Sequence, residues 1–116
     1  MKRDYSFYLT DILNSITLIE DFIGNMRFKK FTEDKKTSSA AIYQIEIIGE
    51  AAKQIPRAKR TKYSEIPWKD MAGMRDRIVH FYFGVDYEIV WKVKKEDLPI
   101  LKMQIAEMLQ DFKGEN

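Results

Sequence analysis

The sequence contains no cysteine and a single histidine, and both scarcities restrict its chemistry. Without cysteine the chain can form neither a disulfide framework nor a thiolate metal site, which fits a reducing compartment. His80 is therefore almost the only unperturbed candidate for acid–base chemistry near neutral pH. Neither a His/Cys ligand set nor a glycine-rich phosphate loop is present, so we expect no metal and no nucleotide cofactor.

Long apolar runs are also missing from the sequence. No run approaches the roughly 20 apolar residues that are needed to span a bilayer. The first residues lead into a helical pattern interrupted by polar residues, rather than into the apolar core of a signal peptide. We therefore expect a cytoplasmic protein without a membrane partner.

Neither sign of charge is in large excess, since the sequence contains 20 Lys and Arg residues and 18 Asp and Glu residues. The net charge is +2. The 116 residues are 45% hydrophobic and 33% charged, which predicts one domain over residues 1–116 with an ordinary core. The basic residues nevertheless cluster in two stretches, residues 27–36 and 53–62. Solvated loop charges and a surface that follows phosphates both remain open for these stretches.

Apolar residues recur every three or four positions, the spacing of helices that are buried on one face. The first helix is predicted from Tyr5 to Asn25. A second follows the Thr37–Ser39 cluster, whose hydroxyls can cap it, and is stopped by Pro56. The basic segment to about Tyr63 has no pattern of its own. Small residues in the second helix predict a close approach by another helix: Gly49, Ala51 and Ala52.

The second half of the chain predicts three further helices. The third is expected to open at Pro67 and to run to Phe83, just before a glycine. Asp86 can cap a short helix that runs through Trp91, and Pro99 fits the first turn of the last helix. No alternating strand pattern of useful length is present. The predicted fold is all-α, an antiparallel bundle of four main helices plus short helical segments.

The third predicted helix carries the spacing Arg75, four residues, His80, one residue, Tyr82. On an ideal helix Arg75 and Tyr82 lie nearly on one line, whereas Asp76 and His80 lie on another about 100–140° away. The motif therefore does not form one flat face, although the long Arg75 side chain can swing toward the imidazole. The remaining face is predicted to point into the core: Met74, Ile78 and Phe81.

These residue types suit RNA cleavage without a metal. A base must remove the proton of the 2′-hydroxyl, an acid must protonate the departing 5′-oxygen, and a cation must stabilise the phosphorane. Imidazole serves as base or acid, and arginine donates two hydrogen bonds to phosphate while it stays charged. Asp76 could orient His80 or hold it protonated. Since each chain supplies one imidazole, a mechanism with two requires a twofold dimer.

The same residues also allow a purely structural interpretation. A single histidine on a helix is more often a surface residue or a satisfied core residue than a catalyst. Arg75 and Arg77 could simply form ion pairs with neighbouring carboxylates, and Tyr82 could be an ordinary aromatic residue. The spacing by itself is a weak signal, because short strings of this kind arise by chance.

Ordered motifs along most of the chain carry a more specific resemblance, from roughly residue 40 to residue 105. They are Ile47-Ile48-Gly49-Glu50-Ala51-Ala52, Ile66-Pro67-Trp68, Gly73-Met74-Arg75, His80-Phe81-Tyr82-Phe83-Gly84-Val85-Asp86, Val90-Trp91 and Leu98-Pro99. In these motifs the chain resembles the HepT-like branch of the HEPN superfamily. The resemblance implies a small helical homodimer and the toxin half of a type VII-like toxin–antitoxin pair. The implied antitoxin is an MntA-like nucleotidyltransferase.

Residue by residue, the resemblance implies that Arg75 and His80 form a metal-independent endoribonuclease site. Asp76 matches the supporting polar position after the arginine, and Tyr82 matches the tyrosine to which the antitoxin adds AMP. Such an addition would introduce bulk and negative charge where RNA phosphate should bind. The expected substrate is tRNA or mRNA, and basic side chains are candidates for holding it: Arg77, Lys53, Arg57 and Arg60.

Two other functions remain open. A non-catalytic helical module could dimerise and dock a nucleotidyltransferase, in which case the wild type would cleave no RNA. A domain that binds RNA or nucleotide without turnover would show binding that weakens steeply with salt while the RNA stays intact.

Overall fold

The computed structural model describes residues 4–80 and 84–115. Over these ranges the regular secondary structure is helical apart from one pair of two-residue strands. None of the described helices is long and apolar enough to cross a membrane. The elements follow one another in this order: α1 (Tyr5–Ile23), α2 (Phe28–Glu33), α3 (Lys35–Lys53), α4 (Arg57–Lys62), α5 (Trp68–Ile78), β1 (Val79–His80), β2 (Gly84–Val85), α6 (Tyr87–Lys92), a π-helical segment (Val93–Asp97) and α7 (Leu98–Glu115).

Four helices, α1, α3, α5 and α7, form the bundle, so the predicted all-α class is confirmed. Helices α1 and α7 run antiparallel, because contacts join opposite ends of the two. The Tyr5 and Phe112 rings meet edge to face at 4.9 Å, and Lys102 Nζ lies 2.8 Å from Glu20 Oε1. The core between the helices is aliphatic, and Leu9, Ile48 and Ile105 are among its fully buried residues.

Helices α3 and α5 approach each other most closely at Gly49. A Cβ atom at this position would lie 3.0 Å from the Met71 carbonyl oxygen and 3.4 Å from that of Ala72. Real Cβ atoms rarely approach a backbone so closely, and a larger residue would push the helices apart. The predicted close approach is therefore confirmed. It fixes α5, the helix that carries Arg75, against α3.

The start of α3 and the segment after it differ from the prediction. Asp34 caps α3 by accepting a hydrogen bond from the Thr37 N–H at 3.0 Å, and this bond lowers the pKa of Asp34. The helix therefore starts at Lys35, ahead of the Thr37–Ser39 cluster. Residues 57–62, predicted to lack a pattern, form α4. This helix buries no residue, so it has no apolar stripe that the sequence could reveal.

The third predicted helix ends earlier than expected, and the prediction that it reaches Phe83 is wrong. Helix α5 stops at Ile78, and the backbone of Val79 is extended, with φ −106° and ψ 119°. His80 then pairs with Gly84 across two antiparallel strands. The β-branched pair Ile78-Val79 favours this extended path, and Gly84, with φ +79°, supplies a conformation that other residues rarely adopt. Residues 81–83, which include Phe81 and Tyr82, lie outside the described residues.

Candidate functional site

Arg75 lies in the last turn of α5 and is half exposed. It lines a cavity of about 200 Å³ together with Lys53 and three carboxylates, those of Glu46, Glu50 and Asp76. Arg75 Nη1 is 3.5 Å from Asp76 Oδ1, and Lys53 Nζ is 3.2 Å from Glu50 Oε1. Both cations in this cavity therefore face carboxylates, although the ion pairs are solvent-exposed and hence weak.

His80 is exposed on β1 and lines a separate cavity of about 380 Å³. The other residues that line this cavity are Phe28, Thr32, Val85, Asp86, Tyr87 and Glu88. Asp86 is already engaged, since its Oδ1 accepts a hydrogen bond from the Ile89 N–H at 3.2 Å and caps α6. Tyr87 is held in place because Lys35 Nζ donates to its hydroxyl at 2.8 Å. The imidazole thus opens onto a pocket with aromatic walls and a second carboxylate, that of Glu88.

The early end of α5 changes how the motif residues relate to one another. Asp76 and His80 were expected on one line of a continuous helix, and this expectation is wrong because His80 lies beyond the helix end. Asp76 instead shares a cavity with Arg75. Within residues 4–80 and 84–115, Arg75 and His80 line two different cavities, one with the guanidinium and the other with the imidazole. Tyr82 lies outside the described residues.

The candidate substrate-binding residues separate into three places. Lys53 lies beside Arg75. Arg77 lines a cavity of about 390 Å³ with Lys92 and three carboxylates, those of Glu65, Asp70 and Asp97. Arg57 and Arg60 line a groove of about 470 Å³ at the start of α5, together with Lys69. The sequence analysis missed Lys69, because a lone lysine carries no signal until the fold brings it beside α4.

The described ranges, residues 4–80 and 84–115, contain no group of three or more His, Asp or Glu side chains arranged to hold a metal ion. The chemical groups that these ranges offer are a guanidinium, an imidazole, carboxylates and aromatic walls. A guanidinium can bind a phosphate, and an imidazole can transfer a proton.

Comparison with known proteins places the sequence of this chain in a family. A family model described as Ribonuclease HepT-like matches residues 12–108. A protein of Thermococcus cleftensis named "Probable ribonuclease HepT" is 51% identical over 102 residues, which cover 88% of this chain and 93% of that protein. A Methanocaldococcus jannaschii protein named "Putative RNase" is 42% identical over 99% of this chain and 95% of its own length. A Caldanaerobacter subterraneus protein with the same designation is 40% identical over 91% of this chain and 95% of its own length. No solved structure matches.

Proposed function

Because the chain belongs to the HepT-like ribonuclease family of the HEPN superfamily, we propose that it is an endoribonuclease acting through Arg75 and His80. The observation that carries the proposal is that both motif side chains are exposed at cavities, although neither is needed for the core. A charged or polar side chain that served the core would be buried and hydrogen-bonded, whereas exposure at a cavity lets both side chains contact a substrate.

The proposed reaction breaks the bond between phosphorus and the 5′-oxygen and forms a bond between the 2′-oxygen and the same phosphorus. A base takes the 2′-hydroxyl proton and an acid gives a proton to the departing 5′-oxygen, so no metal or water is consumed. The products are a 2′,3′-cyclic phosphate and a 5′-hydroxyl end. Imidazole fills the base and acid roles, while the Arg75 guanidinium stabilises the charge that develops on phosphorus. RNA is the substrate class because its 2′-hydroxyl is the nucleophile.

The proposed active unit is a homodimer with one composite site. One chain carries one imidazole, and its Arg75 and His80 line separate cavities. A twofold axis near the end of α5 would bring the Arg75 and His80 side chains of two chains around one RNA phosphate. In this arrangement Asp76, paired with Arg75, supports the guanidinium rather than the imidazole.

Mixed dimers test both the activity and the shared site. Wild type and His80→Ala are coexpressed in equal amounts, purified together, and assayed on labelled RNA in excess EDTA. If one site needs His80 from both chains, only wild-type homodimers are active and the rate is about one quarter of wild type. A rate of about one half would show instead that each site needs His80 from one chain only. An unmodified wild type that leaves a broad RNA panel intact would favour the non-catalytic scaffold.

We further propose that an MntA-like nucleotidyltransferase neutralises the protein by transferring AMP from ATP to the Tyr82 hydroxyl, with release of pyrophosphate. The support is the family and the Arg75–His80–Tyr82 spacing in the sequence. An adenylate two residues from His80 would add negative charge close to the position of the RNA phosphate. The antitoxin therefore needs only a small covalent change to block the nuclease.

Intact mass measures this modification. Incubation with the nucleotidyltransferase and ATP should add adenylate mass to the wild type and stop RNA cleavage, whereas Tyr82→Phe should gain no mass. The matched control is Tyr43→Phe, since Tyr43 is 61% exposed and should leave labelling unchanged. Adenylate that still appears on Tyr82→Phe would place the modification elsewhere.

A further inference from the structure

The groove at the start of α5 differs in charge from the other cavities. We define the cationic groove by its three basic side chains, Arg57 and Arg60 on α4 and Lys69 on α5, which face a single carboxylate, Asp70. The cavity of Arg75 holds three carboxylates against two cations, and so does that of Arg77. The cavity of His80 holds two carboxylates. Of these four cavities, only the cationic groove has an excess of positive charge.

The basic side chains on the two sides of α4 differ in their ion pairs. Lys59 and Lys62 both form ion pairs with Glu115, at 3.9 and 3.4 Å. Within the part of the chain that the structure describes, Arg57, Arg60 and Lys69 form no ion pair. The side of α4 that faces α7 is thus neutralised within the fold, whereas the side that lines the groove keeps its charge for a ligand.

Arg60 adds an independent observation, an unsatisfied donor beside the groove. Its Nε is buried and has no hydrogen-bond partner among the described residues. A buried N–H donor without a partner is costly and rare in folded proteins. A shift of the Arg60 side chain toward an anion in the groove would give this N–H an acceptor, and Thr61 and Ser64, which carry hydroxyls, line the same groove.

From these observations we propose that the cationic groove binds a phosphate of the RNA strand outside the cleavage site. The proposal rests on the proposed ribonuclease function and extends it. Helix α5 joins the two places, since Lys69 lies in its first turn and Arg75 in its last. Six residues of helix rise about 9 Å and turn by about 240°, so a strand that runs along α5 and partly around it would reach the groove a few nucleotides from the phosphate under attack. The groove is thus a positioning site for longer RNA.

The test is a charge-removal variant, Arg57→Gln/Arg60→Gln/Lys69→Gln. On a long RNA its KM should rise by about tenfold or more, and the salt dependence of binding should weaken by about two to three phosphate contacts. The kcat on long RNA should not change. Cleavage of a dinucleotide, which is too short to reach the groove, should be unaffected.

The matched control removes the same number of charges elsewhere, as Lys59→Gln/Lys62→Gln/Lys113→Gln. The two lysines of α4 in this control already pair with Glu115, and Lys113 is exposed near the end of α7. An equal rise in KM for both triple variants would show that the effect comes from net charge, and it would overturn the proposal for the groove. A groove variant with an unchanged KM would overturn it as well.

Binding measurements separate this proposal from the ribonuclease proposal. RNA affinity is measured by fluorescence anisotropy in the His80→Ala background, with AMP and inorganic phosphate as competitors. If the wild type cleaves no RNA but the groove variant still binds RNA more weakly, the proposal for the groove is supported and the ribonuclease proposal is overturned. If the wild type cleaves RNA but the groove variant binds RNA with unchanged affinity, only the proposal for the groove is overturned. If free AMP at low concentration displaces the labelled RNA as well as unlabelled RNA does, the groove binds a mononucleotide, and the RNA assignment is overturned.

Discussion

Replacing His80 by alanine is expected to lower RNA cleavage by about 10²- to 10⁴-fold, the range that a positioned acid or base contributes. The sequence contains no second imidazole that could take over the proton transfer. His80 is exposed on a two-residue strand, so its loss should change the free energy of unfolding by no more than about 0.5 kcal/mol. The measurement is a time course on labelled RNA in excess EDTA, with the melting temperature recorded on the same preparations.

The matched control for His80→Ala is Lys113→Ala, another truncation of an exposed side chain, which lies near the end of α7. It should retain both cleavage and stability. Intact mass must be recorded for every preparation, because an adenylated wild type would be silent and would mimic the variant. Undiminished cleavage by His80→Ala would mean a contaminating nuclease or another site, and the assignment of His80 would fail.

The substitution of Arg75 by lysine is expected to lower kcat by about 10²- to 10³-fold, as the loss of one oxyanion donor does in other enzymes. Lysine keeps the charge but not the planar fork that donates two hydrogen bonds to one phosphate. The effect should therefore appear in kcat more than in KM, since the second hydrogen bond matters most as charge develops on phosphorus. Steady-state kinetics on one defined RNA separates the two parameters.

Arg27→Lys is a suitable comparison because Arg27 is exposed and lines none of the cavities described above. It should keep the wild-type kcat. Asp76→Asn tests the support of the guanidinium separately. Because the Arg75–Asp76 pair is exposed at 3.5 Å, we expect less than about a tenfold change in rate. An unchanged kcat in Arg75→Lys would show that a positive charge is sufficient for catalysis. It would also show that the two hydrogen bonds of the guanidinium to one phosphate are not required.

If both substitutions lower the rate while the oligomeric state and the melting temperature stay unchanged, the non-catalytic scaffold is excluded. That interpretation instead predicts an inactive wild type and a strong sensitivity to changes at exposed apolar positions. Two such positions are Met103 and Ile100 on α7, at 74% and 61% exposure. Activity and assembly therefore depend on different residues in the two interpretations, and the same set of variants distinguishes them.

The sequence by itself determined the fold class and the main helices. Period and capping are local properties, so Asp86 could be recognised as the cap of α6 and Pro99 as a first-turn residue of α7. The close approach at Gly49 was also predictable, because only a residue without a Cβ allows it. The family was recognised from the resemblance of ordered motifs along most of the chain, and the motif residues were carried over from it, which requires no coordinates.

Only the tertiary structure decided where the motif side chains lie. The helical spacing of apolar residues continues through His80 in the sequence. In the structure the strand pairing with Gly84 follows a helix that ends at Ile78, and the imidazole lines a different cavity from Arg75. The carboxylates around Arg75 come from α3 as well as α5, and the cationic groove joins α4 to the start of α5. Such groupings depend on how elements distant in sequence pack together. A local pattern carries no information about that packing.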